Sequence, residues 1–195
     1  MKNKKYPWGW GNEVLYRMCR EEPRHSNEDI IAGKLWLIGR AYSAAIERQA
    51  GDNLVKGENF YATKVAPIIK ASKIDQWIES VRSIERVTIE NYDQILSAHK
   101  KLTDLLKKIT GKEKRSLASK YLHFHAPNAF FIYDSKANTK LRAYLNSKRY
   151  KYPVGYDNSY ASYAVRCIDY RDRFLEKQID RQATPRELDQ WLMGY

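Results

Sequence analysis

Apolar residues recur at helical spacing along most of this chain, and their periodicity predicts an all-α fold. The clearest case is Ile89 to Ile109, where apolar side chains form one stripe and lysines are left for the other face. The only strand-like run, Phe130 to Tyr133, is too short and isolated to found a sheet. We therefore expect a single compact multi-helix domain with one short extended segment.

Capping residues and helix breakers mark where the predicted helices begin and end. Ser26 and Ser72, each followed by an aspartate three places on, are typical of N-caps, and Gly111 ends the helix that begins at Ile89. The strongest start is Thr184, because proline follows it at the first helical position and glutamate at the third. Pro67 predicts a break or kink in an apolar segment that is otherwise helical. Other helices are predicted at 12–20, from 26 to about 46, at 116–124, from 134 or 135, and at 158–178.

The chain divides into an aromatic N-terminal arm and one helical domain. Residues 1–11 form the arm, and its Tyr6, Trp8 and Trp10 are suited to anchoring in a groove of a protein partner. Residues 12–195 form the domain, which contains a loop at 51–57. Within the domain, residues 89–146 are predicted to form a basic helix-turn-helix-loop-helix segment.

The composition narrows the class of protein. Two cysteines, Cys19 and Cys167, are too few for a disulfide framework and fit a reducing compartment. No apolar run approaches the ~20 residues that cross a bilayer, and the N-terminus lacks the apolar core of a secretory signal. We expect a cytoplasmic protein that does not act at a membrane. No glycine-rich phosphate loop follows a predicted strand, and no cofactor is predicted.

Charge is the strongest functional signal in the sequence. Fourteen Lys and Arg face three acidic residues between Lys100 and Lys151, so this stretch holds eleven of the chain's twelve net positive charges. Such clustering favours a polyanionic partner, and nucleic acid, DNA or RNA, before a membrane. The residues predicted to contact nucleic acid are Lys107, Lys108, Lys112, Lys114, Arg115, Lys120, His123, Lys136, Lys140 and Arg142.

The same region carries a resemblance to a known family. From Leu105 to Leu145 the chain runs through a helix, a glycine turn, a second helix, a proline loop and an aspartate that opens a third helix. This order resembles the helix-hairpin-helix DNA glycosylase superfamily. The resemblance implies cleavage of an N-glycosidic bond, with Asp134 steadying a cationic sugar and orienting the nucleophile. The corresponding residues are Ile109-Thr110-Gly111-Lys112-Glu113, Leu117-Ala118, Tyr121-Leu122, Pro127 and Tyr133-Asp134.

The chain also departs from that family. Lys112 to Arg115 stand where the family has its second hairpin glycine, which allows backbone N–H groups to approach a phosphate. The lysine that forms a Schiff base in bifunctional members falls near Ser116, so this alignment does not predict lyase chemistry. A second resemblance is to bacterial helical proteins that have no activity to carry over. It rests on Lys120-Tyr121-Leu122, Ala126-Pro127 and Phe131-Ile132-Tyr133-Asp134-Ser135.

Two interpretations of Asp134 stay open. It can be an N-cap, because its carboxylate can accept hydrogen bonds from the first N–H groups of the following helix. If it is catalytic, it should also lie in a cleft large enough for an extruded base. His123 and His125 are two apart on a helix without suitably spaced further ligands, so no metal site is predicted. One of them is expected to pack or hydrogen-bond and the other to be exposed.

Three functions follow from these observations. The leading hypothesis is a nucleic-acid-binding helical protein that uses its basic helix-turn-helix segment on the phosphate backbone. The enzyme alternative is a glycosylase-like hydrolase that uses Asp134. The third is a protein-interaction or regulatory subunit that uses the aromatic arm.

Overall fold

The computed structural model describes residues 7–47, 59–146 and 149–194, and every regular element in these ranges is helical. The predicted all-α fold is therefore confirmed for the described residues. Two short π-helical turns, Tyr61–Val65 and Arg171–Leu175, interrupt the α-helices. The α-helices are α1 Pro7–Glu21, α2 Glu28–Ala41, α3 Ala66–Lys70, α4 Ile74–Arg82, α5 Tyr92–Thr110, α6 Arg115–His125, α7 Ser135–Tyr144, α8 Asn158–Tyr170, α9 Glu176–Ile179 and α10 Pro185–Met193.

Helix α6 lies at the centre of the molecule. Helices α1, α2, α4 and α5 all pack against it, and every side chain from Leu117 to Ala126 is buried. On the other side α7 packs against α8 and α10. A helix buried around its whole circumference must place its polar side chains inside the protein, where each needs a partner. One of these polar side chains, Lys120, lines the candidate site.

Several predicted boundaries are confirmed. Helix α5 ends at Gly111, whose φ of 72° is a left-handed conformation that favours glycine. Thr184 and Glu187 form the complete capping box at the start of α10. The break near Pro67 is present as a π-helical turn that leads into α3, with proline near the first position of that helix.

Other boundaries differ from the predictions. Helix α1 begins at Pro7 rather than Asn12, so the backbone of Trp10 belongs to this helix and not to a separate arm. Asn27, and not Ser26, caps α2, because its side chain accepts from the N–H groups of Asp29 and Ile30. The predicted helix at 158–178 is interrupted by a π-helical turn.

The short extended segment Phe130 to Tyr133 forms no strand. Its four carbonyl groups instead accept hydrogen bonds from buried side chains. His123 Nδ1 bonds the first carbonyl at 2.8 Å, and Lys120 Nζ bonds the fourth at 2.7 Å. Two tyrosine hydroxyl groups of α8 bond the carbonyls between them. This segment is therefore fixed by side chains rather than by sheet pairing.

Some predictions fall on residues outside the described ranges. These are Tyr6, the loop at 51–57, Lys148 and the side chain of Trp8. Both cysteines are described, and both are free and buried.

Candidate active site

A cleft of about 680 Å³ lies between α1, the end of α2, α6, the start of α7 and α10. We call it the polar cleft because five charged side chains line it, contributed by three regions of the chain. Its size is within the range of small-molecule sites. Apolar side chains of α1, α2 and α10 form part of the remaining wall. The charged lining residues are Lys120, Asp134, Lys136, Arg186 and Asp189.

Lys120 reaches the cleft from the buried helix α6. Its side chain is 2% exposed, and its Nζ donates to Ser116 Oγ and to the Tyr133 carbonyl, both at 2.7 Å. Burial lowers the pKa of Lys120 to about 8, although Asp134 and Asp189 favour its charged form. Part of this amine is therefore neutral near pH 7, which is a requirement for a nucleophilic lysine.

Asp189 faces the same cleft from α10. Burial raises the pKa of its carboxyl group to about 6, while the positive charges of Arg186 and Lys120 oppose that shift. Arg186 Nη1 donates to Asp189 at 2.9 Å and also to the hydroxyl of Tyr42 at 2.9 Å. An acid and an amine whose pKa values both move toward neutrality suit proton transfer.

Tyr42 links the two cations of the cleft. Lys120 Nζ lies 5.7 Å from the centre of its ring, and the Arg186 guanidinium carbon lies 5.9 Å from it. Both distances are within cation–π range. The hydroxyl of Tyr42 donates to Asn12 of α1 at 2.6 Å. The ring is therefore held in place by neighbours on three helices.

Asp134 is both an N-cap and a lining residue of the cleft. Its Oδ1 accepts from the backbone N–H groups of Lys136 at 2.8 Å and Ala137 at 3.4 Å, which confirms the capping interpretation. Its Oδ2 makes no hydrogen bond to the described part of the chain. Capping therefore uses one carboxylate oxygen and leaves the other for a ligand.

The predicted nucleic-acid residues are distributed over different environments. Lys108, Lys112, Lys136 and Arg142 are exposed. Lys107 is exposed and pairs with Glu113 at 3.2 Å. Lys114 is partly buried. Around Gly111 the cations thus form what we call the basic turn, made of Lys107, Lys108, Lys112 and Lys114.

Two further members of the predicted set are engaged within the protein. Arg115 Nε bonds the carboxylate of Asp157 at 2.7 and 2.8 Å, and its Nη2 bonds Glu113 at 3.0 Å. Lys140 donates to the carbonyl of Leu192 at 2.6 Å. These side chains tie α6 to α8 and α7 to α10, so they contribute to tertiary structure.

Lys120 and His123 do not lie on the outer surface where a phosphate backbone would bind. Both side chains are buried, because other helices enclose α6 from Leu117 to His125. His123 Nδ1 donates to the Phe130 carbonyl at 2.8 Å, so Nε2 of the neutral ring accepts from the Tyr16 hydroxyl at 2.5 Å. Burial lowers its pKa to about 3, so it is neutral at pH 7.

His125 is buried as well, which corrects the expectation that one histidine of the pair is exposed. Neither of its ring nitrogens has a hydrogen-bond partner within the described ranges. Its ring lies 5.0 Å from that of His25 and 4.9 Å from that of Tyr121. Among the described residues, no three His, Cys, Asp or Glu side chains come together as a metal site.

Tyr42, Arg186 and Asp189 are site residues that were not predicted from the sequence. Arg186 lies inside the capping-box sequence that predicted the start of α10. The spacing of Arg186 and Asp189, three apart on a helix, was the available signal for an ion pair. That this pair faces Lys120 depends on tertiary packing.

No family model, curated protein or solved structure matches the chain. Of the helices in the described ranges, none is both long and apolar enough to span a bilayer.

Proposed function

We propose that this protein binds nucleic acid and cleaves an N-glycosidic bond of a nucleotide held in the polar cleft. The observation that carries the proposal is the meeting of a buried amine, Lys120, with the carboxylate of Asp134 in one cleft. An extruded nucleotide needs a pocket that accepts a base and a sugar. A cleft of about 680 Å³, with the ring of Tyr42 and apolar side chains in its wall, meets that need.

Lys120 is the proposed nucleophile. A neutral amine has two N–H groups and one lone pair, and Ser116 Oγ and the Tyr133 carbonyl can accept both N–H groups. The lone pair is then available to attack C1′ of the sugar. A C–N bond to Lys120 forms as the bond from C1′ to the base breaks, and the base leaves with the electron pair. The sugar ring then opens as the C1′–O4′ bond breaks and O4′ takes the proton that Asp134 received from the amine, which leaves a Schiff base that water hydrolyses.

Asp134 and Asp189 are the proposed proton acceptor and proton donor. Asp134, with its free Oδ2, stabilises positive charge on the sugar and accepts the proton that the attacking amine loses. Asp189, whose pKa is raised to about 6 by burial, donates the proton that the leaving base takes. The alignment places the Schiff-base lysine of the family near Ser116, which is not a lysine in this chain. However, Lys120 Nζ lies 2.7 Å from the Ser116 hydroxyl oxygen. The amine of Lys120, one helical turn after Ser116, therefore lies close to the position of the family's lysine.

The basic turn would bind the phosphate backbone of the same nucleic acid. Lys108 and Lys112 are exposed beside the left-handed Gly111. Such contacts give affinity without base specificity, and that affinity falls steeply with salt.

The test is release of free base from a panel of DNA and RNA oligonucleotides that carry damaged or deaminated bases. Asp134→Asn should lower the rate by about 100-fold or more, while Asn keeps the N-cap and the stability of α7. Lys120→Gln should abolish the covalent adduct that borohydride traps from a Schiff base. The rate should fall below about pH 6, because Lys120 is charged, and above about pH 8, because Asp189 is ionised.

Lys177→Gln is the matched control, because this exposed lysine of α9 belongs neither to the polar cleft nor to the basic turn. Base release that persists unchanged in both Asp134→Asn and Lys120→Gln contradicts the proposed chemistry. Nucleic-acid affinity that does not change with salt contradicts the proposed role of the basic turn.

A further inference from the structure

A second cavity, of about 530 Å³, lies on the other side of α1 from the polar cleft. Its walls come from α1, the end of α4, the end of α6 with the loop that follows, and the start of α10. We call it the arginine cavity, because Arg20, Arg82 and Arg186 line it from three different helices. Glu13 is the single acidic side chain among the described residues that line it.

The three guanidinium groups have donors to spare. A guanidinium carries five N–H donors. Arg82 gives one bond, from Nε to Glu79 at 2.9 Å, and Arg20 has one ion pair, with Glu13 at 3.7 Å. Arg186 uses Nη1 for Tyr42 and Asp189. The remaining donors have no partner in the described part of the chain, so each of these arginines has donors left for an anion in the cavity.

The rest of the cavity suits a planar group and a polar atom. The rings of Tyr16 and Phe124, 4.7 Å apart, and the side chain of Pro127 provide an apolar wall. His125 also lines the cavity, and it is 5% exposed with both ring nitrogens unpaired among the described residues. A buried polar group without a partner is costly, and a ligand atom that pairs with His125 would offset that cost.

We infer that the arginine cavity binds a phosphorylated ligand, with the phosphate on Arg20, Arg82 and Arg186 and a planar ring against Tyr16 and Phe124. Planar fork-shaped donors match the geometry of phosphate oxygens. The phosphate could belong to a free nucleotide or to a nucleic-acid strand, and the two sources share this chemistry. The inference does not depend on cleavage in the polar cleft, because it uses a different cavity and needs no reaction.

The test measures binding to the full chain by calorimetry with three probes: adenosine monophosphate, adenosine and a single-stranded oligonucleotide. Adenosine monophosphate should bind at least about 10-fold more tightly than adenosine, because charged hydrogen bonds are the stronger ones. Arg20→Gln and Arg82→Gln should each weaken binding of the monophosphate about 10-fold. Glu13→Gln should tighten it roughly threefold, because the competing carboxylate beside Arg20 is removed.

Arg173→Gln is the matched control. Like Arg82, Arg173 is an exposed arginine paired with an acidic residue of its own helical turn, but it does not line the cavity. Loss of monophosphate binding alone in the Arg20 and Arg82 variants identifies a free nucleotide as the ligand. A parallel loss of oligonucleotide binding identifies a strand phosphate.

Either of those results supports the site. Three results would overturn it: equal affinity for adenosine and its monophosphate, no monophosphate binding at millimolar concentration, or unchanged affinity for both phosphate probes in an Arg20→Gln, Arg82→Gln double variant. Base release by the same variants reports on the polar cleft separately. Failure of one proposal is therefore distinguishable from failure of the other.

Discussion

The basic turn and the polar cleft draw their cations from the same stretch of sequence but hold them in opposite environments. Lys112 in the turn is exposed, whereas Lys120, eight residues later, is 2% exposed. Water stabilises the charge of Lys112. Lys120 loses most of that hydration, and its pKa falls to about 8 as a result.

A count of charges along a sequence therefore does not measure the charge of a surface. Among the cations from Lys100 to Lys151, some face solvent, some pair with acidic residues and one is buried beside a cleft. Only the cations that face solvent can attract a polyanion over a distance. A buried cation such as Lys120 is better suited to catalysis, because burial changes its protonation.

Replacement of a buried cation should have the largest effect on stability. Arg171 is fully buried, and its guanidinium donates to the Val87 carbonyl and to Asp172, both at 2.7 Å. Arg171→Leu leaves these acceptors without their partner and should lower the free energy of unfolding by about 3 to 5 kcal/mol. Urea titration measures this change in the free energy of unfolding. Arg173→Leu, at an exposed arginine, should change the free energy of unfolding by less than about 0.5 kcal/mol. Equal effects of the two replacements would show that burial of the cation does not determine its contribution to stability.

Acidification should have the next largest effect. Burial lowers the pKa of His99 to about 4 and that of His123 to about 3, so both are neutral in the folded protein at pH 7. Below about pH 6.5 the unfolded chain binds protons that the folded protein does not, so stability is present above that pH and is lost as pH falls toward 4. His99 alone should account for about 3 kcal/mol of this loss.

Urea midpoints at pH 7, 5.5 and 4 measure this loss. Asp189 acts in the opposite direction, because its raised pKa favours the folded state as pH falls, so the two histidines must outweigh it. His99→Phe keeps a ring that can stack on Tyr160, 3.6 Å away, and should reduce the pH dependence. Equal stability at pH 4 and pH 7 would show that these imidazoles are not held neutral.

Replacement of an exposed cation should have the smallest effect on stability and a specific effect on binding. Lys112→Gln should leave the free energy of unfolding within about 0.5 kcal/mol of the original value. It should reduce the slope of log affinity for DNA against log salt by about 1. Fluorescence anisotropy across a salt series measures that slope. A slope that stays the same would mean that the basic turn does not contact phosphates.

The features that sequence predicted correctly are local. The apolar stripe of α5, its end at Gly111 and the capping box of α10 each depend on residues within a few positions of one another. Asp134 could be predicted as a cap because its partners, the N–H groups of Lys136 and Ala137, are close in sequence.

The polar cleft could not be predicted in the same way. Lys120, Asp134 and Asp189 come from different elements, and their proximity depends on how α6, α7 and α10 pack. The burial of α6 was also hidden, because Ser119, Lys120, His123 and His125 interrupt its apolar pattern. Their partners include the carbonyls of Phe130 and Tyr133, in a segment whose sequence is typical of a strand.

The reactivity of the two free cysteines can show which helix separates first from the rest of the protein. Cys19 belongs to α1, which walls both cavities, and Cys167 to the middle of α8. Burial raises the pKa of the Cys19 thiol to about 12 and that of the Cys167 thiol further, so neither reacts readily while its helix stays in place. Alkylation of Cys19 ahead of Cys167 would therefore report detachment of α1 while the remainder of the protein stays folded.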